Sequence, residues 1–462
     1  MAQQQEIEQS PASHSSEDDE KMELFSAVLS TLDREQLPLL ASNLLQQLQP
    51  SQTTSAKPAV GEPLYGSYHV LFPLTFDTGL CWLTKIPING TVSKWDDLSA
   101  TSLTSEANTI RLLKRETTIP LPDVLDFSST TENSLRCPYI MMTFISGLPL
   151  YDIWFGHRLN DTTPEMTNLR RIRALEGIAE AMLQLGRFSF KTGGCPLFGS
   201  EGDPSGIGPM RRVDDRAMLD RWFIHGDPNN DPIYMECAPS SNPKAYYTVM
   251  LDKHPEQNPV PRGLTMLLRQ LISWIPEPCG TDPFVLAHPD FDIQNFIVSE
   301  DGELQGIIDW DGVAALPRTL GNERYPGWLM RDWDPAMYGY KESMERGVEP
   351  EGVWEDSAES LAYYRGVYQG IVAKHCIERR GGCDLNLCRM SLITENLAIA
   401  ADGPRCRNEI LRKMVDEIWT AAGQSEKLDF IDLAEMFADC NVDAGIMETL
   451  HKGFHILLSR EV

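Results

Sequence analysis

The chain has 462 residues, a formal net charge of −27 and ten cysteines, a balance that fits a soluble protein of two or three compact units. No basic stripe offers a surface to a phosphate backbone, so nucleic acid is not expected as a partner. No apolar run reaches the length of a membrane span, the N-terminus lacks the basic start and apolar core of a signal peptide, and no Cys-x-x-Cys pair occurs; a cytoplasmic chain with buried or free thiols is expected.

In chain order, residues 1–24 are rich in Gln, Ser, Asp and Glu and cannot bury enough apolar surface to order themselves. Residues 24–48 place apolar side chains at helical spacing, which predicts one amphipathic helix docking on the body or on a partner. Residues 51–58 read as a linker. Gly61 and Gly66 bracket a turn that runs into a strand over 71–76, and Asp77-Thr-Gly79 turns the chain into a second strand over 80–86. Two antiparallel strands preceded by a mobile loop read as a surface hairpin on their own; together with Lys85 they can roof a nucleotide, which makes Gly66 and Ser67 candidate nucleotide-binding residues. Lys85 closes the second strand behind Trp82-Leu83. Lysine there is usually a solvated charge, but Glu106 stands in a segment, 105–113, with near-helical apolar spacing and Ser105 as a plausible cap. Glu106 can then face Lys85, and a lysine grips the α and β phosphates of a nucleotide when such an ion pair holds it. Residues 119–127 break the helix with two prolines and return to strand, and 139–145 are a fully apolar strand.

The stretch 193–209 is rich in Gly and Pro and lacks the Lys-Ser or Lys-Thr of a phosphate loop, so it reads as a long connection. Residues 225–232, His-Gly-Asp-Pro-Asn-Asn-Asp-Pro, imitate a catalytic loop, but Pro232 stands where a metal ligand is needed, which leaves a polar loop. Apolar spacing of three and four predicts helices over 166–185, 263–275, 360–379, 407–422 and 428–438.

The chemistry concentrates in His288-Pro-Asp-Phe-Asp-Ile-Gln-Asn295 and Ile308-Asp-Trp-Asp311. A tight loop can aim the Asp290 carboxylate at a substrate hydroxyl and the Asn295 amide oxygen at a metal, the layout of a kinase catalytic loop. Residues 296–299 and 304–308 read as strands joined through Asp301-Gly302, with the positive φ angles of a two-residue hairpin turn. That hairpin returns Asp309 beside Asn295. A carboxylate and an amide oxygen are hard ligands suited to Mg²⁺, which prefers one or two carboxylates plus substrate phosphates.

These motifs resemble the aminoglycoside phosphotransferase and choline kinase group, whose catalytic loop reads His-x-Asp, four residues, Asn, with Ile-Asp-Trp-Asp or Ile-Asp-Trp-Glu as its metal motif. Residues 324–335 further resemble its fungal branch, and the resemblance covers roughly residues 60–340. It implies an α+β, two-lobed protein-kinase-like fold with a small antiparallel-sheet N-lobe over 59–147 and a larger, mainly helical C-lobe over 148–462, behind a tail, helix and linker over 1–58. It also implies a hinge over 139–149 whose backbone holds adenine, with ATP and Mg²⁺ as cofactors. The expected activity is transfer of the γ-phosphoryl group to a hydroxyl of a small molecule, a cationic one being among the candidates. Asp290 is expected to act as base and His288 to brace the loop. Tyr325, Trp328 and Asp332 follow the metal motif and, with Asp311, are candidate substrate contacts, because aromatics with carboxylates hold an amine. The alternatives are a pseudokinase-type module that binds nucleotide or a partner without catalysis, and a protein kinase, against which the missing Ala-Pro-Glu segment counts.

Overall fold

The computed structural model describes residues 22–50, 57–157, 159, 163–227, 229, 231–277, 281–378 and 384–460. The acidic tail and most of the expected linker lie outside them. The chain divides into two compact units, one drawn from Met1–Ala107, Asp123–Phe144 and Pro228–Pro232, the other from Asn108–Pro122, Ile145–Asp227 and Ile233–Val462.

The first unit is built on an antiparallel sheet of β1 (Ala59–Val60), β2 (Leu64–Tyr65), β3 (His69–Thr75), β4 (Cys81–Pro87), β5 (Val124–Ser128) and β6 (Tyr139–Thr143), in the order β1-β3-β4-β6-β5 with β2 also on β3. Along β3 every second residue is buried, the two-residue period of a strand with one face in a core. The core partners are Phe25, Val28, Leu37, Ala41 and Leu45, which join Val70, Phe72, Leu74, Phe76 and Trp82 in one cluster. They come from two helices, Ser26–Thr31, with Phe25 at its N-cap, and Gln36–Leu48, and not from the single helix expected over 24–48. Pro38 explains the break: in the first turn of the second helix its missing N–H costs nothing, whereas one continuous helix would hold it in the interior. The helix carrying Glu106 is also longer than expected, Asp97–Glu116. Asp96 caps it, its Oδ1 accepting from Ser99 N at 2.7 Å; Ser105 lies buried inside it and caps nothing.

The second unit is largely helical, and the five helices expected there are Pro164–Leu183, Pro259–Trp274, Ala358–Glu378, Pro404–Ala421 and Phe430–Ala438. Leu385–Asp402 adds a helix whose apolar residues lie all around it, so no one-sided periodicity betrayed it. The expected connection over 193–209 is instead a hairpin, Cys195–Phe198 with Pro204–Gly208, followed by a second one, Met210–Val213 with Tyr234–Cys237. The described residues of 225–232 form the expected irregular loop. Two three-stranded sheets complete the unit, one centred on Phe284–Ala287 and one on Phe296–Val298. Cys137, Cys195, Cys237 and Cys388 are buried free thiols, but Cys376 is disulfide-bonded, which corrects the expectation of thiols throughout. Among the described residues no helix is long and apolar enough to cross a membrane.

Candidate active site

In the second unit the buried strand Phe284–Ala287 delivers the chain to His288, and a 3₁₀ turn, Ile293–Asn295, capped by Asp292, folds the following loop back on itself. The exposed Asp290 carboxylate is fixed at Oδ2 by Gln294 Nε2 and Asn295 Nδ2, both at 2.8 Å. Asn295 Nδ2 also donates to Asp290 O at 2.7 Å. Both amide hydrogens of Asn295 are thus committed to Asp290, and Oδ1 is the atom it has left to offer.

The segment Phe296–Val298 pairs with Leu304–Ile307, and Ile308 N donates to Asn295 O at 3.0 Å, which sets Asp309 next to Asn295. The turn differs in detail from the expected one. Ser299 O accepts from Gly302 N at 2.9 Å and only Gly302 has a positive φ, +84°, so a turn of the commonest type closes with a glycine bulge. Asp309 itself adopts φ +60°, a left-handed conformation that costs a non-glycine residue about 1 kcal/mol or more and that asparagine and aspartate tolerate best.

His288 joins the two motifs. Its Nε2–H donates to Ile308 O at 2.9 Å and its ring meets the buried Trp310 edge-on at 4.6 Å. Burial pushes its pKa down to about 4, so the ring is neutral, and its Nδ1 finds no partner among the described residues. Its carbonyl accepts from Arg324 at 3.0 Å.

Asn295 Oδ1 and the exposed Asp309 carboxylate are two adjacent hard oxygen donors. Among the described residues no group of three or more His, Cys, Asp or Glu is arranged to hold a metal. Oxygen donors of this kind are the ones Mg²⁺ takes beside phosphates and water.

A cavity of about 280 Å³ opens at Asp290. Phe291, Met330, Met337 and Ile399 give it apolar walls, and its charges are largely paired, Arg331 with Asp292 at 3.0 Å and Arg324 with Glu395 at 3.0 and 3.1 Å. Asn396 also lines it, with Oδ1 buried and without a hydrogen-bond partner among the described residues.

The remaining candidates of this unit are placed elsewhere. Tyr325 is fully buried against Tyr368, and Trp328 packs between Trp154 and Phe296. Asp332 is buried in a two-pronged ion pair with Arg365 at 2.7 and 3.2 Å. All three are core residues: the two aromatics gain more by burial than at a rim, and the Asp332 charge is buried because it is paired. Asp311 is held by Arg211 NH2 at 3.1 Å to each carboxylate oxygen. Arg211, Glu395 and Asn396 had no signal in the sequence: each reaches the site from an element distant along the chain.

In the first unit Lys85 Nζ lies 2.8 Å from Glu106 Oε1, and both side chains are buried. The register of β4 sets Lys85 between Leu71 and Ile140 in the middle of the sheet. Gly66 and Ser67 form the exposed turn between β2 and β3, closed by Gly66 N on His69 O at 2.8 Å.

Residues 94–318 match the phosphotransferase enzyme family. The chain is 29% identical over 161 residues to the Candida dubliniensis "Altered inheritance of mitochondria protein 9, mitochondrial", which covers 34% of this chain and spans about a quarter of that protein's length, 25%. It is 22% identical over 279 residues to a subtelomeric hrmA-associated cluster protein of Aspergillus fumigatus, covering 49% of this chain and 53% of that one. Among solved structures it is similar to an amicoumacin kinase in complex with AMP-PNP, at 14% identity over 90% of this chain and 96% of the other with a TM-score of 0.43. Plasmodium vivax ethanolamine kinase is similar at 11% identity over 95% and 98% of the two chains, with a TM-score of 0.38.

Proposed function

Residues 94–318 match the phosphotransferase enzyme family, and from that match we propose that the chain transfers the γ-phosphoryl group of ATP to a hydroxyl of a small molecule. The observation that carries this reading is the Asp290 carboxylate, exposed at the mouth of a cavity and oriented by two amides.

Asp290 accepts the proton of an acceptor hydroxyl seated in the cavity, and the clamp from Gln294 and Asn295 leaves its Oδ1 to meet that hydroxyl. Asn295 Oδ1 and Asp309 would hold Mg²⁺, which when bound neutralises the charge developing on the phosphates. His288 stays neutral and ties the carbonyl beside Asp309 to the catalytic loop, so it braces and does not transfer a proton. Lys85, fixed by Glu106, anchors the nucleotide phosphates in this reading, with the turn at Gly66 and Ser67 covering them. The transition state of phosphoryl transfer is loose, so these residues act by position and charge. The acceptor is small, since a cavity of about 280 Å³ is near the lower end of ligand pockets, about 300–1,000 Å³.

The test is Mg²⁺-dependent ATP consumption by the purified chain with a pooled metabolite extract, read by mass spectrometry, with Asp290→Asn as control. A product heavier by one phosphoryl group, absent with the variant, supports the reading and identifies the acceptor. Nucleotide binding without any product turns the assignment to a non-catalytic binding module; label on protein turns it to a protein kinase. A cytoplasmic setting is proposed, and fractionation of the tagged chain decides between it and the location in the Candida relative's name.

A further inference from the structure

Arg211 lies on the strand Met210–Val213 of a hairpin inserted between the two helical stretches of the second unit, 100 residues before the carboxylate it holds. Its guanidinium is buried, stacks over the Tyr234 ring at 4.1 Å and reaches both oxygens of Asp311 at 3.1 Å. Tyr234 sits on the partner strand opposite Val213. The next residue, Arg212, points the other way, as strand geometry requires. It stacks over Tyr246 at 4.2 Å, donates to Tyr246 O at 3.0 Å and pairs with Asp402 at the end of the buried helix Leu385–Asp402. The hairpin is therefore pinned to the helical body on one face and grips Asp311 with the other.

The segment that it grips is strained. Asp309 has φ +60° and Gly312 φ +81°, so left-handed residues stand on both sides of Asp311. Gly312 takes that conformation at no steric cost, but a left-handed Asp309 persists only when its surroundings over-determine it. On one side that is done by His288 on Ile308 O and by the buried Trp310, whose Nε1 donates to Ile307 O at 3.3 Å. On the other side stands Arg211.

We propose that Arg211 is a positioning residue for the metal-binding loop: by holding Asp311 it fixes the backbone from which Asp309 presents its carboxylate. The inference rests on the phosphotransferase reading above, and it deepens that reading by assigning the inserted hairpin a part in metal affinity. A guanidinium stacked on a ring and bridging two oxygens is planar and pre-organised, which a flexible ammonium does not reproduce.

The experiment measures Mg²⁺-dependent ATP hydrolysis to ADP and phosphate by the full chain, with water as acceptor and no metabolite added. In Arg211→Met the Mg²⁺ concentration for half-maximal rate should rise about 10-fold or more, the effect typical of removing a partner that orients a metal ligand. The KM for ATP at saturating Mg²⁺ should stay within about 2-fold, because nucleotide contacts are untouched. Arg211→Lys should fall between wild type and Arg211→Met, Asp311→Asn should reproduce Arg211→Met, and the double variant should be no worse than either single one. A wild-type Mg²⁺ response in Arg211→Met, or additive effects in the cycle, would overturn the proposal. So would a lowered melting temperature with no change in Mg²⁺ response, the signature of a merely structural role. If the wild-type chain hydrolyses no ATP with Mg²⁺, the phosphotransferase reading falls and this inference with it; an active wild type with an unaffected Arg211→Met overturns the inference alone.

Discussion

Two amides hold one oxygen of the Asp290 carboxylate, and the residue lines an open cavity. In the proposed reading Asp290→Asn keeps this geometry but removes the proton acceptor, so kcat should fall by about 10² to 10⁴ with little change in nucleotide affinity, measured as phosphoryl transfer against nucleotide binding. The neighbouring His288 predicts a pH effect. Its folded pKa, about 4, lies below the ordinary 6.5, so between those values the unfolded chain binds more protons than the folded one. Stability is then complete above pH 6.5 and is lost as the pH falls towards 4, by about 3 kcal/mol from this one group. Melting temperatures from pH 7 to 4.5 should show it, and His288→Asn should flatten the slope. At this scale the sequence spoke where residue types stand at short spacing: His288, Asp290 and Asn295 share one loop, in which Asn295 holds Asp290. It misled at Tyr325, Trp328 and Asp332, since composition does not say which aromatics and acids the core will take.

Helices follow the same division. The amphipathic ones are legible because one apolar face repeats every three or four residues, and the two near the N-terminus use that face to cover the sheet of the first unit. Leu45 is almost fully buried there, so Leu45→Ala should cost about 2–5 kcal/mol in denaturant unfolding. A tighter constraint joins Pro259–Trp274 to Phe430–Ala438. A Cβ at Gly263 would stand 1.7 Å from Ala434 O, so this pair of helices can cross closely only with glycine there. Gly263→Ala should lower the melting temperature by several degrees at least, since backbone must move to admit it. The helix Leu385–Asp402 stayed hidden for the opposite reason. Buried on every side, it has no polar face to set a period, yet it supplies Glu395, Asn396 and Ile399 to the cavity.

For the whole molecule, ligand binding is the natural probe, because whatever binds only the folded chain stabilises it by mass action. Mg²⁺ with a non-hydrolysable ATP analogue at 100 times its dissociation constant should add about 2.7 kcal/mol. Lys85→Met should abolish most of that gain in a thermal-shift titration while Asp290→Asn keeps it. By itself the sequence determined the local devices. Those are the tight loop over 288–295, the hairpin that returns Asp309 beside Asn295, the strand ending near Lys85 and the helix that carries Glu106. Each is set by residue types a few positions apart and by the steric periods of strand and helix. Only the tertiary structure decided that Arg211 would reach Asp311 across 100 residues, that Arg324 and Glu395 would wall the cavity, and that Tyr325 would be buried. Such contacts depend on where whole elements pack, and packing is settled by burial and shape summed over the unit, which leave no periodic trace in the chain.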